Sequence, residues 1–165
     1  ILSGFSFYER KETKDMISYM RLVVNPRDEM AFVRVINEPK RGIGAKTIDK
    51  LRALAYVNGQ SMLDVISDEE VVEGLPSKAR ESVRQMAEAI NLCRSEEANL
   101  TVSDIYDNLL VRTGYMKSLE EQNTPEAEGR IENLLDFRSF IYDFESEKKD
   151  AGEEGGWHLH NSRKL

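Results

Sequence analysis

An all-α fold is what the sequence predicts, and three observations carry that prediction. Apolar residues recur at helical spacing in nearly every segment, helix starts and stops are marked by capping residues, and only Ile1–Phe7 offers anything like the alternation of a strand. With 165 residues, the chain is long enough for one domain with a real core. Apolar residues make up 40% and charged residues 32%, a balance typical of globular chains.

The elements follow in order. Met16, Ile17, Met20, Val23 and Val24 form one face of a first amphipathic helix, which Asn25-Pro26 ends. Asp28 is placed to cap a second short helix that runs through Ile36. Glu38 to Gly44 reads as a turn. A third helix follows, with Ile48, Leu51, Leu54 and Ala55 on its inner side and Asn58-Gly59 as its stop. A short helix over Met62–Ile66 leads to an acidic loop at Asp68-Glu69-Glu70, which ends near Gly74-Leu75-Pro76. Ser77 then caps a long helix whose inner face is Ala79, Val83, Met86, Ala87, Ile90 and Cys93. Thr101 and Asp104 resemble a capping box ahead of a helix with Ile105, Leu109 and Leu110, closed near Gly114. Thr124-Pro125 starts a last long helix expected to bury Ala127, Ile131, Leu134, Ile141 and Phe144. Residues 147–165 read as a frayed or extraneous tail, with no periodicity after Asp150.

Charge is divided unevenly. Residues 1–60 carry 11 Lys and Arg against 7 Asp and Glu (+4), whereas residues 61–165 carry 12 against 23 (−11). The stretch 34–52 holds six basic residues (Arg34, Lys40, Arg41, Lys46, Lys50, Arg52) and two acidic ones (Glu38, Asp49). Such asymmetry fits either a solvated helical face or a local anionic partner for the basic half.

Pro39-Lys40-Arg41-Gly42-Ile43-Gly44-Ala45-Lys46-Thr47 is the most informative stretch. Glycine tolerates positive φ, so the chain can turn tightly and present its N–H groups. The next helix begins at once, and its free N–H groups and dipole face the same spot, an arrangement that binds phosphate. Ile43 would anchor the hairpin in the core, while Lys46 and Thr47 supply a charge and a hydroxyl. Gly-Ile-Gly alone would fit an ordinary turn between helices; the basic cluster around it favours a helix–hairpin–helix grip on a nucleic-acid backbone. Lys11, Lys14 and Arg21 share the polar side of the first helix, a weaker signal of the same kind.

Other chemistry is sparse. A single cysteine, Cys93, excludes an internal disulfide framework and a Cys-based zinc ribbon, and its place on an apolar face marks it as core. His158 and His160 lack a third ligand, so no metal site is expected. No catalytic constellation and no G-x-x-x-x-G-K-[ST] phosphate loop is present. No apolar run reaches the roughly 20 residues that span a bilayer, and no signal-peptide pattern opens the chain, so the expected location is cytoplasmic. A start at Ile rather than Met suggests a piece of a longer protein.

Several blocks together carry a resemblance. They are Ser3-Gly4-Phe5-Ser6-Phe7-Tyr8-Glu9-Arg10-Lys11-Glu12-Thr13-Lys14-Asp15, Tyr19-Met20-Arg21-Leu22, Asn25-Pro26-x-Asp28, Ala31-Phe32-x-Arg34-Val35-Ile36-Asn37 and Pro39-x-Arg41-Gly42-Ile43-Gly44-x-x-Thr47. The chain resembles the 2B subdomain of superfamily 1A DNA helicases of the PcrA/UvrD/Rep group, densely over 3–59 and more weakly to about 146. Arg130-Ile131-Glu132-Asn133-Leu134 resembles a later family landmark. Ser3 stands where the family has glycine, and Thr13 where it usually has isoleucine; the tail after Asp150 does not match.

That resemblance implies a parent enzyme that is a 3′→5′ DNA helicase driven by ATP and Mg²⁺ bound between two motor domains, neither of which lies in this chain. It implies residues 1–12 as the junction with motor domain 2A and 13–146 as a helical 2B subdomain. Duplex DNA at a single-strand/double-strand junction would meet Arg41, Gly42, Ile43, Gly44, Lys46 and Thr47, with Lys14 and Arg21 helping to hold it. Arg10 and Glu12 would serve the hinge or the motor interface. The motor domains of the same chain and activating repair or replication proteins are the implied partners, with no membrane. Two other readings stay open: a protein-interaction module using the acidic half, and an independent helix–hairpin–helix protein.

Overall fold

A computed structural model describes residues 8–150, with side chains through residue 149. The strand-like segment Ile1–Phe7, with Ser3, and the tail with His158 and His160 lie outside the described residues. Within them every element is helical. The order is α1 (Lys11–Val24), α2 (Glu29–Val35), α3 (Ala45–Asn58), α4 (Met62–Ile66), α5 (Glu69–Glu73), α6 (Ser77–Ser95), a 3-10 turn (Glu97–Asn99), α7 (Val102–Arg112), α8 (Tyr115–Gln122) and α9 (Pro125–Asp150).

Capping chemistry sets most of these boundaries. Asp28 accepts from the Ala31 N–H at 3.1 Å, and Thr124 accepts from the Ala127 N–H at 3.1 Å. Ser61 with Asp64, and Thr101 with Asp104, form reciprocal capping boxes. Gly59, at φ 64°, closes α3 in the left-handed conformation that glycine adopts without cost.

Helix α1 is the hub, packing against α2, α6, α7 and α9. Its apolar stripe of Met16, Tyr19, Leu22 and Val23 is fully buried, each such side chain contributing about 2 kcal/mol. Polar residues are buried beside that stripe. Asp15 is 1% exposed and accepts from Lys11 Nζ (2.7 Å), Arg34 Nε (3.0 Å) and the Tyr115 hydroxyl (2.7 Å), tying α1 to α2 and α8. A buried carboxylate needs this number of partners to offset its lost hydration. Burial raises the Tyr115 phenol far above its ordinary value, and the hydrogen bond to Asp15 adds to that. Burial opposes the charge on Lys11, but its bonds to Asp15 and Glu38 outweigh it and leave the ammonium pKa raised.

Four expectations are corrected. Leu54 is 40% exposed, because α3 buries only Leu51 and Ala55 and packs mainly on the short α4 at one edge. Phe144 is 41% exposed, although the next residue, Glu145, still accepts from the Val102 N–H at the start of α7 (3.0 Å). The acidic segment at 68–70 is not a loop: Asp68 accepts from the Glu70 N–H and caps α5, with Val72 buried as its anchor. Residues 147–150 continue α9 rather than beginning a tail. In addition, Pro76 rather than Ser77 occupies the cap position of α6, and α8 was not anticipated.

Candidate nucleic-acid interface

The connection from α2 to α3 is built as a braced hairpin. The Asn37 side chain donates to the Ile43 carbonyl (2.7 Å) and accepts from the Ile43 N–H (2.9 Å), so one amide holds both backbone groups of the residue between the glycines. Ile43 itself is buried, which makes it the anchor and leaves only its backbone near the surface. Gly42 has φ 78°, where an L side chain is strained, and Gly44 has φ −79° and ψ 173°, which any residue adopts. Both glycines are exposed, and a Cβ at either would meet nothing within 4 Å. Protein packing therefore gives no reason for glycine at Gly44.

Arg41 is corrected by the structure. It is 4% exposed, and its guanidinium donates to the carbonyls of Val35 (2.8 Å), Ile36 (2.9 Å) and Thr113 (3.0 Å) and to the Tyr19 hydroxyl (2.8 Å). The Tyr19 hydroxyl in turn donates to the Glu38 carbonyl. Burial raises the Tyr19 phenol despite the opposing charge of Arg41. Arg41 thus fastens the hairpin to α1 and to the α7–α8 corner, and it offers nothing to a ligand outside. The Glu38-Pro39 peptide is cis, and Pro39 Cγ lies 3.7 Å from where a Cβ on Gly114 would stand.

At the start of α3 the backbone is left open. Gly44 supplies no side-chain cap, no acidic residue occupies the first turn, and the first in-helix bond at this end is Ile48 N–H to Gly44 carbonyl at 3.0 Å. The N–H groups of Ala45, Lys46 and Thr47 consequently point out of the helix unmatched by any side chain, at the positive end of its dipole. Lys46 is exposed and Thr47 is half-buried.

The basic cluster divides by residue type. Arg34 pairs with Asp15, Arg52 with Glu29 (2.8 Å) and Asp49 (2.9 Å), and Arg41 is internal. Lys40, Lys46 and Lys50 are exposed and their side chains make no hydrogen bond or ion pair among the described residues, and the same holds for the side chain of Lys14. The arginines build the fold; the lysines carry the free charge. Arg21 is 65% exposed yet held by Asp28 at 2.9 Å. No hydrogen bond or ion pair joins Lys14 or Arg21 to the hairpin among the described residues.

Arg10 and Glu12 converge on one residue of α9: Arg10 donates to the Asn133 side-chain oxygen Oδ1 (2.7 Å), and the Asn133 side-chain amide Nδ2 donates to Glu12 (2.7 Å). The start of α1 is thereby locked to the late Arg130–Leu134 block. Asn37, Tyr19 and Thr113 are the residues that site reasoning missed. Asn37 could have been read as a turn-forming amide two positions before a proline, but Thr113 is distant in sequence and carries no local signal.

Little else suggests chemistry. Burial pushes the Cys93 thiol up to about 11, far from a reactive thiolate. Among the described residues no group of three or more His, Cys, Asp or Glu side chains could hold a metal ion. No helix is long and apolar enough to cross a membrane.

Comparison with known proteins gives this geometry a setting. The family model of the UvrD-like helicase C-terminal domain matches residues 1–155. The chain is 36% identical over 154 residues to the ATP-dependent DNA helicase PcrA of Leuconostoc citreum, a match covering 93% of this chain and 21% of that protein. It is 33% identical over 150 residues to PcrA of Bacillus subtilis (91% and 20%), and 35% identical over 145 residues to PcrA of Staphylococcus aureus (88% and 20%). The chain therefore spans about a fifth of the length of these relatives. On the extent of the family match and the level of identity, the chain belongs to the UvrD-like helicase C-terminal domain family.

Proposed function

We propose that this chain is the 2B-type subdomain of an ATP-dependent 3′→5′ DNA helicase and that it grips duplex DNA ahead of a single-strand/double-strand junction. The observation that carries the reading is the open start of α3, where Gly44 leaves three backbone N–H groups uncapped beside the unpaired Lys46. A phosphate seated there would accept from the N–H groups of Ala45, Lys46 and Thr47, with the Lys46 ammonium and Thr47 hydroxyl closing on its remaining oxygens. Gly42 and Gly44 let the sugar–phosphate chain approach, while Ile43, Asn37 and Arg41 hold the loop rigid behind them. Lys14 and Arg21 add charge along α1. Contacts of this type position a duplex without reading its sequence.

ATP and Mg²⁺ belong, on this reading, to the motor domains of the parent enzyme. The residues present do not fit either group: the Gly42–Thr47 loop is not a G-x-x-x-x-G-K-[ST] phosphate loop, and the described residues hold no carboxylate cluster for a metal ion. Residues 1–12 would form the junction with the motor, with Arg10 and Glu12 bracing its first helix through Asn133. The acidic excess in residues 61–165 supports a second role in docking an activating repair or replication protein of basic surface.

The test is fluorescence anisotropy with a labelled duplex bearing a 3′ tail. Neutralising about three phosphates gives a log–log salt slope of roughly −3. Thr47→Ala and Gly44→Val are expected to weaken duplex binding, and unchanged binding in both would remove the hairpin from the interface.

A further inference from the structure

We propose that the outer seam between α7 and α9 is a docking surface for a basic amphipathic helix of a partner protein. The proposal rests on the reading above that the acidic half of the chain docks a basic partner, and it names the surface and the shape of that partner. Three contacts fix how the two helices lie. The Val102 N–H donates to Glu145 (3.0 Å), the Arg138 guanidinium donates to both Asp107 oxygens (2.7 and 2.8 Å), and the Tyr106 hydroxyl donates to the Leu134 carbonyl (2.8 Å). Residue numbers fall along α9 as they rise along α7, so the helices run antiparallel. Val111, one turn past Asp107, therefore comes level with Leu134 and Leu135.

Two stripes of equal spacing edge the seam. Asp104, Asp107 and Val111 on α7, and Leu135, Arg138 and Tyr142 on α9, each follow i, i+3, i+7. Val111 is 66% exposed, Leu135 47% and Tyr142 52%, so an apolar side chain stands open at each end of the α9 stripe and a third across the seam. The Arg138 guanidinium lies 5.8 Å from the centre of the Tyr142 ring while bonded to Asp107. Tyr142 is thus held in place before a partner arrives, which lowers the entropy lost on docking. A third helix laid along the seam can set its own apolar stripe between these anchors. Among the described residues no strand offers an edge to which an extended peptide could add.

Charge decides the polar face of that helix. Beside Leu135 and Tyr142, α9 carries an outer shoulder of Glu128, Glu132, Asp136 and Asp143. All four are exposed, and their side chains make no hydrogen bond or ion pair among the described residues. Glu128, Glu132 and Asp136 succeed one another at i, i+4 spacing, where like charges repel and weaken a helix. Lysines or arginines on a docked helix would relieve that repulsion. The Arg138 charge is matched by Asp107, so it does not oppose them.

The probe is a peptide of about 14 residues, roughly 21 Å long as a helix, with leucine at i, i+3 and i+7 and lysine on the other face. Its binding to the 165-residue chain is read by fluorescence anisotropy at two salt concentrations, beside a scrambled peptide whose leucines are spread around the helix. The striped peptide is expected to bind at least tenfold more tightly than the scrambled one. Leu135→Ala and Tyr142→Ala should each weaken it about tenfold. The Glu128→Gln/Glu132→Gln double variant should weaken it several-fold at low salt and less at high salt. Tyr56→Ala, at an exposed aromatic on α3, and Glu70→Gln/Glu73→Gln on α5 are controls expected to leave it unchanged. All these side chains are exposed, so helical spectra should not change. Binding that ignores Leu135→Ala and Tyr142→Ala yet falls in Glu70→Gln/Glu73→Gln would overturn this surface and leave the acidic-half reading standing. Equal binding of the two peptides would reduce the interaction to net charge and overturn the docked helix. Self-association of the chain that Leu135→Ala disperses would assign the face to a second copy, also against the proposal. No binding of either peptide at about 1 mM would overturn both this surface and the acidic-half reading.

Discussion

Arg41, in the hairpin, and Lys46, in the first turn of α3, stand five residues apart, carry the same charge, and have opposite surroundings. Arg41 donates to three carbonyls and a phenol in the core, so its removal takes the donor from the Ile36 and Thr113 carbonyls, while the Val35 carbonyl keeps the Glu38 N–H (2.9 Å). Arg41→Ala is expected to cost about 3–5 kcal/mol in chemical denaturation, and Arg41→Lys to recover little, because an ammonium cannot span the same acceptors. Lys46→Ala should leave stability within about 0.5 kcal/mol and act only on binding. Thr13 poses the reverse problem. It is fully buried with its hydroxyl unpartnered. Thr13→Val removes an unsatisfied polar group at nearly constant shape and should stabilise the fold by about 1 kcal/mol, raising the melting temperature by about 2–4 °C. A lower melting temperature would mean that the hydroxyl has a partner.

At the level of elements, the hairpin and α3 form a rigid loop followed by an open helix start, and its two glycines separate stability from binding. Gly42→Ala places a side chain at φ 78° and should cost about 1–2 kcal/mol in a denaturant melt. Gly44→Val should cost no more than about 1 kcal/mol, since the position is extended and open. Most helices were legible because periodicity and caps agreed, as in Asp28 before α2 or the Thr101–Asp104 box before α7. Helix α8 was not, since it is short and buries only Tyr115 and Leu119 between Gly114 and the left-handed Asn123. Leu54 was misplaced for a different reason: periodicity gives a face, but not whether the helix lies at the centre or the edge. The acidic run at 68–70 hid α5 because repelling carboxylates resemble a loop until Asp68 is seen to cap them.

Across the whole molecule, α1 couples the hairpin to the far helices through polar groups buried beside apolar ones. Tyr19, Tyr106 and Tyr115 all lie in that core, and burial holds their phenols protonated above the ordinary value. The unfolded chain ionises its tyrosines near pH 10, so above that pH unfolding releases protons and the folded state loses ground. Stability should be nearly flat below pH 10 on account of these groups and fall beyond it, with a limiting slope of about 4 kcal/mol per pH unit for three phenols. Denaturation midpoints at pH 8, 10 and 11 check this; a midpoint that holds at pH 11 would contradict it. The geometry of the hairpin was legible where the chain is local, in the turn at Gly42 and Gly44 and the helix start at Lys46 and Thr47. It was not legible where distant segments meet, since Arg41 becomes structural only through Tyr19 and Thr113, and Asn133 joins Arg10 to Glu12 across the length of the chain.

Titration of the tailed duplex with the unsubstituted chain and with Gly44→Val, at two salt concentrations and beside single-stranded DNA of equal length, tests the central claim most directly. Because position 44 is extended and open, Gly44→Val is expected to keep the fold, and a melt that matches the unsubstituted chain assigns any change in binding to the interface. The account predicts salt-sensitive binding that prefers duplex and falls at least several-fold in the variant. Equal binding by the two proteins, or an equal preference for the single strand, would contradict it.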